Sequence, residues 1–315
     1  MLHIAFWGYG SIAKRHIRNL SSILQERKQE YQIDVFRHSF QEIKESDIKK
    51  IVNEVYAENV IIEKRYDILF VTNPTSLHFE TVKRCVPYTR HMFIEKPVFQ
   101  KVDEKIETLG LLENSVYYVA CPLRYTSVLQ YVKNNIALDT VFSVRAISSS
   151  YLPDWRPGTD YRNTYSAHKK MGGGVAIDLI HEWDYLTAMF GFPKQVLYAG
   201  GRFSGLNIDS DDLAAYIGVY DGRIIELHLD YFGRKTKREL LLYTANEMIL
   251  ANLINSKISF LQSGKIVDLK EDRDEFQKRE LHHFLDIVEG KCENDSTIEH
   301  GLQVLKIAKN YKVEV

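Results

Sequence analysis

Leu2-His3-Ile4-Ala5-Phe6-Trp7-Gly8-Tyr9-Gly10-Ser11-Ile12-Ala13 is a short apolar strand running straight into a glycine turn. The segment behind it, Lys14 to Leu24, reads as a helix. Strand, G-x-G-x-x-A and helix in that order form a dinucleotide-binding signature. Gly8 permits the tight turn, Gly10 lets the backbone approach a pyrophosphate, and Ala13 is the small residue that helix–strand packing needs. The phosphates would rest on backbone N–H groups at the helix start, where the dipole favours anions. Tyr9, Ser11 and Ile12 complete the turn and are candidate cofactor contacts with it.

The next strand, Ile33-Asp34-Val35-Phe36, ends in Arg37-His38-Ser39. In NAD enzymes an acidic residue at this strand end takes the ribose 2′-hydroxyl. Asp34 comes too early for that, inside the strand. A guanidinium, an imidazole and a hydroxyl at the tip suit a 2′-phosphate, which predicts NADP(H) over NAD(H). Helical segments are expected around Gln41 to Asn53. A buried strand follows at Tyr66–Thr72, then the turn Asn73-Pro74-Thr75 and a helix from about His78 to Tyr88. The apolar run up to Ile94 delivers Glu95-Lys96-Pro97. Alternating strands and helices with short links predict a doubly wound parallel sheet. Ligands bind such sheets at the carboxyl ends of the strands, and Lys96 sits at one.

Val116–Ala120 reads as the last strand of this sheet, followed by Cys121-Pro122-Leu123-Arg124-Tyr125 and a helix over Ser127–Asn135. After a strand near Val141–Ser150 comes a long irregular stretch, Tyr151–Met171, rich in aromatic and Arg side chains. Long loops without structure of their own are often functional. Trp155, Tyr161 and Arg162 are candidates to stack on a sugar ring and clamp an anion. Gly172-Gly173-Gly174 precedes a helix expected from Val175 to Phe190. On it Asp178, His181 and Asp184 recur at three-residue spacing, one face if the turn is helical throughout. His181-Glu182-Trp183-Asp184 lacks the second His and third ligand of a zinc site, so no metal is expected. Strands follow at Val196–Ala199, Leu213–Tyr220, Ile224–Tyr231 and Arg238–Tyr243, with Asp221-Gly222 as a hairpin turn. Asp209, Asp211 and Asp212 read as a solvated loop. Helices close the chain at Glu271–Val288 and about Ile298–Tyr311.

Gly8, Gly10 and Ala13, Asn73-Pro74-Thr75 with His78, Glu95-Lys96-Pro97, and Gly172-Gly173-Gly174 with Asp178, His181 and Asp184 resemble the glucose–fructose oxidoreductase / inositol dehydrogenase / MocA-like (Gfo/Idh/MocA) family in the right order. The resemblance implies a Rossmann domain over residues 1–121. Over residues 122–315 it implies an α/β domain with a large, open, mostly antiparallel sheet for substrate binding and for homodimers or homotetramers. It places Asn73, Pro74, Thr75, His78, Glu95 and Lys96 at the cofactor, Lys96 near nicotinamide and substrate, and Arg124 by the cleft. His181 would be catalytic. The family's Asp stands four residues before its His, whereas Asp178 stands three before His181. Either Asp178 or Asp184 therefore orients the imidazole.

With 41 Lys+Arg against 42 Asp+Glu, no basic stripe argues for nucleic acid. The absence of an 18-residue apolar run argues against a membrane helix. Three scattered cysteines and a start without a secretion signal predict a cytoplasmic chain. The expected function is NADP(H)-dependent (or NAD-dependent) hydride transfer at a secondary alcohol or ketone of a sugar, polyol or sugar nucleotide, with Lys96, His181 and Asp178 as catalytic residues. The alternatives are a non-catalytic NADP(H)-binding regulator and a cofactor-dependent glycosidase.

Overall fold

A computed structural model describes residues 1–38 and 42–310. The helices are α1 (Ser11–Glu26), α2 (Ser46–Lys49), α3 (His78–Cys85), α4 (Ser127–Asn135), α5 (Val175–Asp178), α6 (His181–Phe190), α7 (Glu275–Val288) and α8 (Ile298–Ala308). By contact the chain parts into two compact units. One is Met1–Ala120 with Gln277–Gln303; the other is Cys121–Phe276 with the described residues from Val304 onward.

The first unit is built on parallel strands β1 (Leu2–Trp7), β2 (Tyr31–Arg37), β3 (Val52–Ala57), β4 (Tyr66–Val71), β5 (Thr89–Ile94) and β6 (Tyr117–Val119). Their order, β3-β2-β1-β4-β5-β6, is the doubly wound dinucleotide-binding order. The central strands are near-continuous apolar runs because such a sheet is covered on both faces. Phe6, Phe70, Phe93 and Tyr118 are successive register partners across β1, β4, β5 and β6. Their rings stack at 4.4, 5.0 and 5.4 Å. Phe284 of α7 meets the Phe93 ring edge-on at 5.3 Å. That packing returns Gln277–Gln303 to the first unit, which a linear division of the chain at residue 121 does not anticipate.

The second unit contains an eight-stranded sheet. Its strands are β7 (Ser143–Tyr151), β8 (Gln195–Gly201), β9 (Leu213–Tyr220), β10 (Arg223–Asp230), β11 (Phe232–Tyr243), β12 (Met248–Asn252), β13 (Lys257–Phe260) and β14 (Ile266–Asp268). The order is β14-β13-β12-β11-β7-β10-β9-β8, and only β7–β10 pairs in parallel. Side chains alternate: Ile225, Leu227 and Leu229 are buried while Ile224 is exposed. α6 covers the buried face through Trp183, whose ring meets Tyr216 at 5.5 Å.

Four expectations are corrected. Helix within 42–53 is confined to α2, and an edge strand, β3, follows it; Gln41 lies outside the described residues. The polar Asn53 and Glu54 hide β3, because an edge strand has one partner and an exposed rim. The Val175–Phe190 helix is two helices, broken at Leu179 (φ −99°, ψ 29°). Asp212 is not solvated: it is fully buried and accepts the Phe203 and Ser204 backbone N–H groups at 2.8 and 3.0 Å. The last helix ends by Ala308, and Tyr311 is outside the described residues.

Candidate active site

The glycine turn is set by contact with the strand beside it. Gly8 has φ +103°, and a Cβ there would lie 2.5 Å from the Asn73 N and 2.6 Å from its Cα. No other residue fits that close approach. Thr72 Oγ1 donates to the Gly8 carbonyl at 2.9 Å and fastens the turn to the end of β4. Gly10, by contrast, faces open space, with nothing within 4 Å of its notional Cβ. It is the extended N-cap of α1, and no side chain caps that end. Ser11 is exposed, Ile12 half-buried and Ala13 fully buried against the sheet. A cradle of this kind fits a pyrophosphate.

At the tip of β2 the Arg37 guanidinium lies over the Tyr9 ring at 5.0 Å, and Lys14 lies over the same ring at 5.0 Å. Glu45, which the sequence does not single out, joins this group. It accepts from Tyr9 Oη at 3.0 Å and from Lys14 Nζ at 2.5 Å. Lys14 foremost holds the Glu45 carboxyl down to about 2. No sequence signal could have paired residues 31 positions apart. His38 is almost fully exposed, with Nδ1 3.7 Å from Glu58. Ser39 lies outside the described residues. Asp34 is buried and accepts from Tyr66 Oη at 2.9 Å and Lys64 Nζ at 3.1 Å, so its carboxylate serves the fold.

Lys96 is half-buried where the chain leaves β5, and its peptide bond to Pro97 is cis. Histidines hold the chain on either side of it. His16 of α1 lies 2.6 Å from Glu95 Oε1. His78, fully buried, sets Nε2 3.0 Å from the Asn73 carbonyl and Nδ1 3.1 and 3.2 Å from those of Pro97 and Val98. Burial pushes the His78 imidazole below its usual range. Its ring is thus spent on backbone, tying the Asn73 turn to the lysine loop. Asn73 is buried and donates to Thr81 Oγ1 at 2.7 Å. Pro74 is exposed and Thr75 half-buried.

In the second unit Asp178 ends α5 and is buried. Tyr231 Oη donates to its Oδ2 at 2.5 Å, and the Tyr165 phenol also hydrogen-bonds it. Tyr231 was legible only as the last residue of an apolar strand. His181 is the half-buried first residue of α6. Both Asp184 oxygens accept from Arg124, Oδ2 from Nε at 2.8 Å and Oδ1 from Nη2 at 2.6 Å. Arg124 is 8% exposed, so its fork is committed to that pair. The 151–171 stretch is a chain of short 3₁₀ turns, not an unstructured loop. Gly173 lets it close, since a Cβ there would lie 2.1 Å from the Tyr165 carbonyl. In it Trp155 Nε1 donates to Ser150 Oγ at 2.9 Å and its ring meets Tyr231 edge-on at 5.2 Å. Tyr161 Oη accepts from the Asn207 N–H, and exposed Arg162 pairs with Asp160. No cluster of metal ligands occurs among the described residues.

Comparison with known proteins adds to this geometry. Residues 2–118 match the GFO_IDH_MocA family, described as an oxidoreductase family with an NAD-binding Rossmann fold. D-xylose dehydrogenase from Paenarthrobacter nicotinovorans is 24% identical over 150 residues, 44% of this chain and 37% of that protein. The matches to curated relatives span 39%, 55% and 37% of those proteins' own lengths. Among solved structures, levoglucosan dehydrogenase in complex with NADH shares the fold at a TM-score of 0.81, with 16% identity over 98% of this chain and 95% of that one. Biliverdin reductase from Synechocystis sp. PCC 6803, in complex with biliverdin and NADP+, does so at 0.76, with 15% identity over 98% and 97%. With its glycine cradle and doubly wound sheet inside the matched stretch, residues 2–118 are similar to the NAD-binding Rossmann domain of the Gfo/Idh/MocA oxidoreductase family.

Proposed function

We propose that this protein is an NADP(H)-preferring oxidoreductase acting on a secondary alcohol or ketone of a sugar, polyol or sugar-nucleotide substrate. Residues 1–121 would bind the cofactor, and residues 122–315 the substrate. The observation that carries the reading is the cradle itself: Gly8 pressed on Asn73, Gly10 open, and Lys96 at the exit of β5. The nicotinamide, when bound, supplies or takes the hydride. Tyr9, Gly10, Ser11 and Ile12 would hold the pyrophosphate, and Arg37 with His38 a 2′-phosphate. D-xylose and levoglucosan dehydrogenases among the similar proteins support a sugar-like substrate. The cofactors in the two structures differ, so the NADP(H) preference rests on Arg37.

Each catalytic group has a stated task. The Lys96 ammonium hydrogen-bonds the reacting oxygen and stabilises the alkoxide as it develops. His181 moves the proton, since an imidazole titrates near ~6.5, close to working pH. Asp178, kept in place by Tyr231 and Tyr165, orients the imidazole in this reading. Asp184 is the weaker candidate because both its oxygens serve Arg124. Either Lys96 or His181 can be the final proton donor.

A screen of polyols, sugars and sugar nucleotides, followed by NADPH fluorescence, tests the proposal with wild type and Lys96→Ala side by side. Turnover by wild type and its loss by about a thousandfold in Lys96→Ala, with NADPH still bound, is the expected result. Full activity in Lys96→Ala on the true substrate would remove Lys96 from the mechanism. Cofactor binding without turnover on any substrate would favour a regulator, and release of free sugar without net cofactor change a glycosidase.

A further inference from the structure

We infer that His16 is a positioning residue for Lys96, acting through Glu95. The inference rests on the reading of Lys96 as catalytic and adds a residue of α1 to that machinery. His16 is 1% exposed and Glu95 keeps 14% of its side-chain surface. Their atoms meet at 2.6 Å. An ionised carboxylate only accepts, so Nε2 carries the proton in this contact. The ring is fixed by packing: it lies 5.1 Å from Phe93 and 5.8 Å from Phe70, on the aromatic ladder of β5 and β4. Its Nδ1 is buried without a hydrogen-bond partner. A histidine with only one nitrogen satisfied is costly in a core of this kind. A hydrocarbon would pack on the same ladder without that cost, so packing does not account for the imidazole.

What the imidazole does is keep an anion beside Lys96. Burial pushes the Glu95 carboxyl up. The hydrogen bond from His16 foremost, with the neighbouring Lys96, outweighs burial and holds it below its ordinary range. A negative neighbour favours the ammonium form of a lysine. The ammonium is the form that can donate to a reacting oxygen. The groups facing Glu95 are therefore His16 from α1, His78 from α3 and Lys96 itself. The pair also links the helix that opens the glycine cradle to the loop that carries the lysine, since α1 begins at Ser11 and β5 ends at Ile94. His16 needs no contact with substrate or cofactor to act in this way.

The test reads the lysine itself and so does not depend on knowing the substrate. The rate of Lys96 acetylation by an N-hydroxysuccinimide ester is followed by peptide mass spectrometry, at one pH below the lysine's titration. Removing the anion leaves more free amine, so Glu95→Gln should react about tenfold faster than wild type. His16→Leu leaves Glu95 buried without its donor and should match Glu95→Gln, while His16→Gln, whose amide still donates, should stay near wild type. The double variant His16→Leu/Glu95→Gln should react no faster than Glu95→Gln alone. Once turnover is available, the alkaline limb of its pH profile should move to lower pH in Glu95→Gln. A wild-type rate in Glu95→Gln, or additive effects in the double variant, overturns the inference. Should His16→Leu fail to fold, Glu95→Gln and His16→Gln decide the matter. Full turnover in Lys96→Ala would sink the catalytic reading of Lys96 separately, leaving the acetylation result to stand by itself.

Discussion

Arg37 is the residue to which we assign the proposed NADP(H) preference, and its setting shows what one residue contributes. The guanidinium sits over the Tyr9 ring at 5.0 Å, a cation–π contact that holds its plane at the tip of β2. Hydrogen bonds to a charged group contribute about 1.5–3 kcal/mol. Arg37→Ser should therefore weaken NADP+ binding by about ten- to a hundredfold and leave NAD+ binding within about twofold. Titration of both nucleotides by intrinsic fluorescence checks this. Equal losses for the two nucleotides, or tighter binding of NAD+ by wild type, would refute the 2′-phosphate assignment. Glu45 stands against too simple a view of this tip. It occupies Lys14 and Tyr9 Oη, so a second cation is present but already paired. The position of Arg37 at the end of β2 was legible because the place of that strand follows from the glycine turn. Glu45 was not, because its contact depends on where the chain returns after β2.

Elements whose apolar pattern faces a single core were legible; those defined by an edge or by a distant return were not. β1, α4 and β9 fall where their residues place them. β3 carries Asn53 and Glu54 on an edge, and β12–β14 form a meander with half-exposed strands whose alternation is weak. The break between Asp178 and His181 was also hidden, since Leu179 is a good helix former held in a non-helical turn by its surroundings. α7 is the instructive case. Its helical period is plain in the sequence, but its partners are the aromatic ladder of the first unit. Phe284 is fully buried against Phe93, Phe70 and Tyr118. Phe284→Ala should cost about 3–5 kcal/mol, as for other buried aromatics. Bound dinucleotide should restore part of this, because a ligand that prefers the native state stabilises it by mass action. Thermal unfolding with and without NADP+ reads both effects. A loss below about 1 kcal/mol would mean that α7 does not close this core.

At the scale of the whole molecule, the outer face of the eight-stranded sheet is what remains unaccounted for by one chain. Residues in register across it run Leu197, Ile217, Glu226, Arg145, Leu241 and Leu250. Leu197 and Ile217 are 50% and 40% exposed, and Glu226 pairs with Arg145 at 3.0 Å between the apolar flanks. Apolar surface gathered on one flat face with a charged pair inside it is the composition of an interface. We propose that a second copy of this chain covers it, giving a homodimer or homotetramer. In a two-fold interface every residue is used twice, once from each copy. A single Ile217→Lys would therefore bring two ammonium groups to the contact, each beside a Glu226 carboxylate already paired with Arg145. That cost exceeds what a modest interface gains. Light scattering on a size-exclusion column should find wild type as an oligomer and Ile217→Lys as a monomer. The first unit is untouched by the change, so NADP+ should bind the monomer as before. Monomeric wild type, or an Ile217→Lys variant that keeps its assembly, would move the interface off this face.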